Sequence, residues 1–137
     1  MKTYFGISRD HSGSMRSIAR AAARDYNSLI QSIKDNSVAE QIDTIVSVVK
    51  CGVGVRGTIE RDVTNSNVQT LQPIHESSYV ADGHYTPLFD SVGELIGQLE
   101  SVPDATDPEV NFCIMVVTDG QDNSSRVWRA TLGQLIS

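Results

Sequence analysis

Apolar residues recur along the chain with two periods, one typical of helices and the other of strands. Two stripes repeat every three or four residues and predict amphipathic helices. Four shorter runs are rich in β-branched and aromatic residues and predict strands. The helical stripes span residues 15–34 and 88–99, and the strand-like runs span residues 2–9, 41–51, 53–63 and 111–118. A last helix is predicted from Ser124 or Ser125.

Local signals mark the ends of the two long helices. Ser14 can cap the start of the first helix, and Asn36 marks its end. Thr86 can cap the second helix, with Pro87 at the first helical position, where a missing N–H is harmless.

The strand-like runs differ in how much of their surface is apolar. Residues 41–51 are apolar on both faces, which predicts a covered strand. Residues 53–63 alternate apolar and polar side chains, and the short link at residues 52–54 predicts an antiparallel hairpin with a half-exposed edge strand. Phe112–Val117 is the most apolar run and predicts a buried strand. The polar stretch after the hairpin predicts a loop, with at most one short extended piece near Ile74.

The order of these elements predicts the fold class. Strands that alternate with helices indicate parallel crossovers, here arranged around one hairpin. We therefore expect a single α/β domain over residues 1–137. Its expected architecture is a three-layer α/β/α, Rossmann-like open sheet that is mostly parallel, with one antiparallel edge strand.

Composition narrows the classes of partner. The chain of 137 residues has a net charge of −6, which argues against non-specific binding to nucleic acid. No apolar run approaches the roughly 18 residues of a membrane span, and no signal peptide is apparent at the N-terminus. We expect a cytoplasmic protein that binds neither membranes nor nucleic acid, with Cys51 and Cys113 as reduced thiols.

The candidate chemistry follows the first strand. Asp10, Ser12 and Ser14 have a spacing of two in a strand-to-helix loop, so their side chains can converge at the carboxyl edge of the sheet. Carboxylate and hydroxyl oxygens suit a hard cation such as Mg²⁺. Helix capping and turn formation are the alternative roles of such residues. Arg9, just before the motif, either finds a carboxylate partner or ends the strand early.

Two further stretches complete a pattern. Thr86 starts the second helix, and Asp119 follows the apolar strand at residues 111–118. With the Asp-x-Ser-x-Ser motif at residues 10–14, they resemble the metal-ion-dependent adhesion site of the von Willebrand factor type A family. The resemblance implies that Ser12, Ser14 and Thr86 bind the metal directly. Asp10 and Asp119 would act largely through waters or hydrogen bonds.

The resemblance also implies a function. Neutral direct ligands leave the cation electrophilic, so that an Asp or Glu of a protein partner can complete its coordination. The expected function is Mg²⁺-dependent protein–protein recognition, with Mn²⁺ or Ca²⁺ as alternative ions. Small domains of this kind without a signal peptide suggest a bacterial or phage protein.

The same residues also permit three alternative interpretations. The chain could be a structural or assembly module with a vestigial site, it could be a Mg²⁺-dependent hydrolase, or its histidines could form a zinc site. The hydrolase is disfavoured because Ser12 stands where the hydrolase pattern requires a second carboxylate, and we expect no catalysis. A zinc site would use His11 and His84, but neither these nor His75 has a paired ligand spacing, so polar residues at the rim are the favoured interpretation.

The family's sheet usually continues with two parallel strands after the point where this chain ends. The Phe112–Val117 strand would then lie at an edge of the sheet. Exposed apolar edges favour pairing with another chain. We therefore expect either a homodimer through the Phe112–Val117 edge or a chain whose natural remainder supplies the missing strands.

Overall fold

The described part of the chain folds into four strands and two α-helices, in the order β-α-β-β-α-β that the sequence predicts. The computed structural model describes residues 2–54, 56–81, 83 and 87–118. The strands are β1 (Lys2–Asp10), β2 (Asp43–Val53), β3 (Thr58–Asn67) and β4 (Val110–Val117), and the helices are α1 (Ala19–Ala39) and α2 (Leu88–Glu100). Short 3-10 segments lie at Gly13–Ile18, Val68–Thr70 and Glu76–Ser78.

The four strands form one sheet in the order β3-β2-β1-β4. β1 is central and pairs in parallel with both β2 and β4. β2 and β3 form the antiparallel hairpin. The prediction of an α/β fold with a mostly parallel sheet and one antiparallel edge strand is therefore confirmed.

Alternating side chains of β1 face the two helices. On one face, Gly6 lies against Leu95 of α2, and Ser8 forms a buried 2.7 Å hydrogen bond with Ser91. On the other face, Ile7 joins the apolar cluster formed with Tyr26 and other residues of α1. One helix thus covers each face, which gives the expected α/β/α layering over the described residues.

The first helix begins and ends later than predicted. A 3-10 segment precedes it, and Ser14 lies inside that segment, so its assignment as the helix cap was wrong. The helix also continues past Asn36 to Ala39. Ser37 explains the extension, because its hydroxyl donates to the carbonyl of Ile33 and contacts the Thr44 hydroxyl at 2.6 Å, so a polar residue is satisfied inside the core.

The hairpin turn also differs from prediction. β2 runs on to Val53 and β3 begins only at Thr58, because a longer turn with glycines in the left-handed region connects them. The predicted loop is confirmed near Ile74, where the chain forms no strand. Instead, the amide side chain of Asn27 bonds both backbone groups of Ile74, at 2.7 and 2.9 Å.

The second helix starts one residue later than predicted, at Leu88, so Pro87 immediately precedes it. Thr86, its predicted cap, lies outside the described residues, as does the predicted helix from residue 124. No helix in the described part of the chain is both long enough and apolar enough to span a membrane.

β4 is the outermost strand of the sheet that the structure describes, as predicted for the Phe112–Val117 run. The prediction that this strand is buried was wrong, since Phe112, Met115 and Val116 are each between 36% and 40% exposed. A groove of about 620 Å³ lies beside it, with Val92 and Ile96 of α2 on its helix side. The strand is half-exposed because it has a neighbouring strand on one side only within this sheet.

Gly6 provides a test of the packing between β1 and α2. A Cβ at this position would lie 3.3 Å from a Leu95 methyl group and 3.5 Å from Ile114. We expect Gly6→Val to lower the free energy of unfolding by about 1–3 kcal/mol, because the added methyl groups overfill the interface. Gly97→Ala in α2 is the control, because its Cβ would meet nothing within 4 Å and should stabilise the helix by about 0.5–1 kcal/mol. Urea unfolding measures both, and equal stability of the two variants would contradict this packing.

Because β4 lies at an exposed edge of the described sheet, self-association of the chain stays a prediction. We expect the apparent mass to rise with protein concentration, because an edge strand with exposed apolar side chains favours pairing with another chain. Met115→Lys should weaken the association by placing a charge on that edge. Val38→Lys is the matched control, since Val38 is 69% exposed on α1. Light scattering after size exclusion across a dilution series measures this, and a wild-type monomer at every concentration would show the prediction to be wrong.

Candidate metal centre

The Asp-x-Ser-x-Ser motif lies where β1 ends, at the carboxyl edge of the sheet. Three backbone hydrogen bonds hold it. The His11 N–H donates to the carbonyl of Cys51 at 2.7 Å, which ties the motif to β2. The Gly13 N–H donates to the carbonyl of Gly83 at 2.6 Å, and the Gly83 N–H donates to the carbonyl of His11 at 3.2 Å. The loop is therefore fixed on both sides before any ligand binds.

Gly83 allows the close approach that this arrangement needs. A Cβ on Gly83 would overlap the carbonyl group of Gly52 and would also lie 3.3 Å from the carbonyl oxygen of His11. Residue 83 forms an isolated parallel bridge with Ser12. Only a residue without a side chain lets this backbone segment pass between the motif and the end of β2.

Asp10 is completely buried, and both of its carboxylate oxygens accept hydrogen bonds. Oδ1 accepts from the Ser12 N–H at 2.8 Å, and Oδ2 accepts from the Thr118 hydroxyl at 2.7 Å. Both donors are neutral. Within the described ranges, no Lys, Arg or His forms an ion pair with Asp10. Among the described residues, these two hydrogen bonds bring no positive charge to the carboxylate.

The two serines of the motif place their hydroxyl oxygens 3.0 Å apart. Ser12 is buried, whereas Ser14 is exposed to solvent. Oxygens on adjacent positions of a Mg²⁺ octahedron lie about 2.9 Å apart, because each bond is about 2.0–2.1 Å long. The same distance is ordinary for a hydrogen bond between two hydroxyls. The pair thus fits two neighbouring ligand positions and opens toward solvent through Ser14.

The other two predicted ligands, Thr86 and Asp119, lie outside the described residues. Thr118, which precedes Asp119, and Gly83, three residues before Thr86, are described, and both bond to the motif. The structure therefore brings Gly83 and the end of β4 to the motif.

Sequence reasoning missed the role of Thr118. The parallel register pairs Arg9 with Val117, so Thr118, the residue that follows β4, lies across from Asp10. A hydroxyl residue directly after a strand that neighbours β1 was the available signal.

Of the two outcomes expected for Arg9, a carboxylate partner or an early end of the strand, the structure shows the first. It is only 3% exposed, and its Nη2 lies 2.9 Å from Oδ2 of Asp62 on β3. Its guanidinium lies over the ring of Tyr26, with 4.6 Å between Cζ and the ring centroid. Its Nε donates to Nε2 of His11 at 3.0 Å. The buried arginine therefore supports the motif from the α1 side of the sheet.

His11 is buried. The favoured interpretation, in which it is a polar residue at the rim of the site, was therefore wrong for His11. Its ring stacks on Tyr79 at 4.4 Å between centroids, and the Tyr79 hydroxyl donates to the carbonyl of Asp10. Nδ1 lies 2.8 Å from the carbonyl of Val80, and a carbonyl can only accept, so Nδ1 carries the proton. Burial lowers the pKa of His11 to about 4, which keeps the ring neutral.

This geometry removes His11 from a zinc site. One ring nitrogen donates to Val80 and the other accepts from Arg9, so neither has a free lone pair for a metal. His75 is exposed and bonds to Ser77, and His84 lies outside the described residues. The described residues contain no group of three His, Cys, Asp or Glu side chains that could hold a metal. A centre of hydroxyls and single carboxylates does not depend on such a group.

Comparison with known proteins finds no protein-family model that matches the chain and no curated protein with significant similarity to it.

Gly83 provides a test of how the motif is held. We expect Gly83→Ala to lower the free energy of unfolding by about 3 kcal/mol, because the methyl group would overlap the Gly52 carbonyl and force the backbone apart. Gly54→Ala is the control, since Gly54 has a φ of +70° and open space around its Cβ position. That change should cost about 1 kcal/mol, from backbone strain alone. Urea unfolding compares them, and equal losses would mean that the close approach at Gly83 is not required.

Proposed function

We propose that this chain is a von Willebrand factor type A-like domain that recognises a protein partner through a bound Mg²⁺ ion. Asp10, Ser12, Ser14, Thr86 and Asp119 would form the metal centre. An Asp or Glu of the partner would complete the coordination. The proposal extends to a cytoplasmic location, where the partner is another soluble protein.

The buried charge of Asp10 carries this proposal. A carboxylate removed from water is costly unless a cation or strong hydrogen bonds compensate it. Asp10 has two neutral donors and no ion pair within the described part of the chain. A divalent cation beside the motif would offset this charge, and the Ser12 and Ser14 hydroxyls are spaced to hold one.

The position of the motif in the sheet gives further support. β2 lies on one side of β1 and β4 on the other, and the helices that follow β1 and precede β4 cover opposite faces. In open α/β sheets, ligands bind at the carboxyl ends of strands at such a reversal of connection. The motif begins at the last residue of β1, at this point.

The residues of the motif would have distinct roles in the proposed metal centre. The bound ion would supply an electrophilic coordination position for a carboxylate. Ser12 and Ser14 would hold it through neutral oxygens and would therefore not neutralise its charge. Asp10 fixes the Ser12 backbone through its Oδ1 and would balance charge from a buried position. The exposed Ser14 marks the side from which a partner carboxylate would approach.

The geometry favours recognition over hydrolysis. Both oxygens of Asp10 are engaged in hydrogen bonds, and neither is directed at an open space as a nucleophile would be. His11 has both ring nitrogens bonded, so it has no lone pair with which to deprotonate Ser12 or Ser14. A structural module with a vestigial site remains the second candidate, and partner binding that is insensitive to EDTA would favour it.

Asp10→Asn distinguishes a metal centre from a structural turn. Asparagine keeps the size of the side chain and an acceptor for the Ser12 N–H, but it removes the buried charge. We expect the metal-free variant to be at least as stable as the metal-free wild type. Mg²⁺ should stabilise only the wild type, by about 1.4 kcal/mol at ten times its dissociation constant.

Titration calorimetry with Mg²⁺ and Mn²⁺, with and without acetate as the carboxylate, and thermal melts measure these effects. A wild-type protein that binds neither ion, even with acetate present, would overturn the proposed function. An Asp10→Asn variant that binds Mg²⁺ as tightly as the wild type would overturn the role of Asp10.

A further inference from the structure

A row of arginines begins two residues after the motif. Arg16, Arg20 and Arg24 are spaced four residues apart and are all exposed. We call Arg16 and Arg20 the arginine pair. Both line a groove of about 400 Å³, whose opposite side is formed by the 76–81 segment. One side of the groove therefore carries Arg16 of the 3-10 segment and Arg20 of α1. The other side is the chain that leads toward Gly83.

The charges of the arginine pair are not balanced within the described residues. Arg24, the third in the row, pairs with Glu76 at 3.3 Å. Neither Arg16 nor Arg20 forms an ion pair in the part of the chain that the structure describes. The whole chain has a net charge of −6, so this groove is a local exception to its acidic character.

The groove lies next to the candidate metal centre. Nη2 of Arg16 lies 3.9 Å from the position that a Cβ on Gly13 would occupy, so its guanidinium is folded back toward the motif. The opposite wall is tied to the same motif. The Tyr79 hydroxyl bonds to the Asp10 carbonyl, and the Val80 carbonyl accepts from His11.

The opposite wall also exposes an apolar side chain. Val80 is 54% exposed beside the two arginines. Glu76 also lines this wall, where its carboxylate pairs with Arg24 at 3.3 Å. A ligand of this groove would thus meet the arginine pair on one side and, on the other, the apolar side chain of Val80 beside that ion pair. Inorganic phosphate would use only the first, whereas a polypeptide with acidic side chains can use both.

We propose that the groove binds an acidic segment of the partner protein, next to the carboxylate that reaches the metal centre. This inference rests on the proposed function for its first contact and adds a second one. Six residues separate Ser14 from Arg20, a distance of about 9–12 Å along a helix of this kind. An extended peptide covers that distance in about three residues. The partner is therefore a protein whose metal-binding Asp or Glu has further acidic residues about three positions away.

Two synthetic peptides test this pairing. The acidic peptide is Glu-Glu-Gly-Gly-Asp-Gly-Gly-Glu-Glu, which reads the same in either chain direction. The control peptide replaces all four Glu by Gln and keeps the central Asp. In Mg²⁺ at low salt, we expect the wild type to bind the acidic peptide about tenfold more tightly, because exposed ion pairs each contribute modestly. Fluorescence anisotropy of the labelled peptides measures the ratio.

The variants Arg16→Gln and Arg20→Gln should each reduce this ratio toward one. Arg61→Gln is the matched control, because Arg61 is an exposed arginine of β3 that pairs with Glu94 outside this groove. It changes the net charge by the same amount and should keep the wild-type ratio. An equal loss in all three variants would show a general charge effect and would overturn the groove as a site.

EDTA separates the two proposals. Loss of binding of both peptides in EDTA, together with a ratio that depends on the arginine pair, supports the two together. A ratio that depends on the pair but persists in EDTA would overturn the proposed metal function and support the groove alone. A ratio near one in the wild type, with EDTA-sensitive binding of both peptides, would overturn the groove alone. Equal competition by a twelve-residue thymidine oligonucleotide would overturn the assignment to an acidic protein segment.

Discussion

The buried carboxylate of Asp10 is the constraint on which the candidate site depends. It ends the central strand, and its two oxygens join the Ser12 backbone to the Thr118 hydroxyl at the end of β4. These bonds connect two neighbouring strand ends and shape the loop between them. They do so with neutral donors, so the fold contains a negative charge that its described side chains do not balance. A cation at the proposed site would offset this charge.

The fold could be predicted from the sequence where periodicity decides the outcome, and less where buried polar groups decide it. Strand and helix types followed from the spacing of apolar residues, and the hairpin followed from a short link. The end of α1 could not be predicted, because Ser37 is satisfied through Thr44 on another element. For the same reason, the sequence alone could not explain the polar end of β1. Ser8 bonds to Ser91 and Arg9 bonds to Asp62, and both partners lie on other elements.

The site shows the same division. The spacing of Asp10, Ser12 and Ser14 in a strand-to-helix loop was sufficient to bring them together at the sheet edge. His11 was misjudged, because its burial depends on Tyr79, a residue remote in sequence whose ring covers it. The contribution of Gly83 depends on the close approach of three backbone segments. Such contacts follow from register and packing, which a local pattern does not encode.

Charge distribution joins the two proposals. An acidic domain repels an acidic partner at long range, so recognition of a carboxylate requires local positive charge. The metal centre would supply one such point, and Arg16 and Arg20 extend it along a groove whose walls bond to the motif. A single carboxylate at a metal ion gives little discrimination, since every protein surface carries Asp and Glu. A second contact at a fixed distance selects partners by the spacing of their acidic residues, and the negative surface around it disfavours the rest.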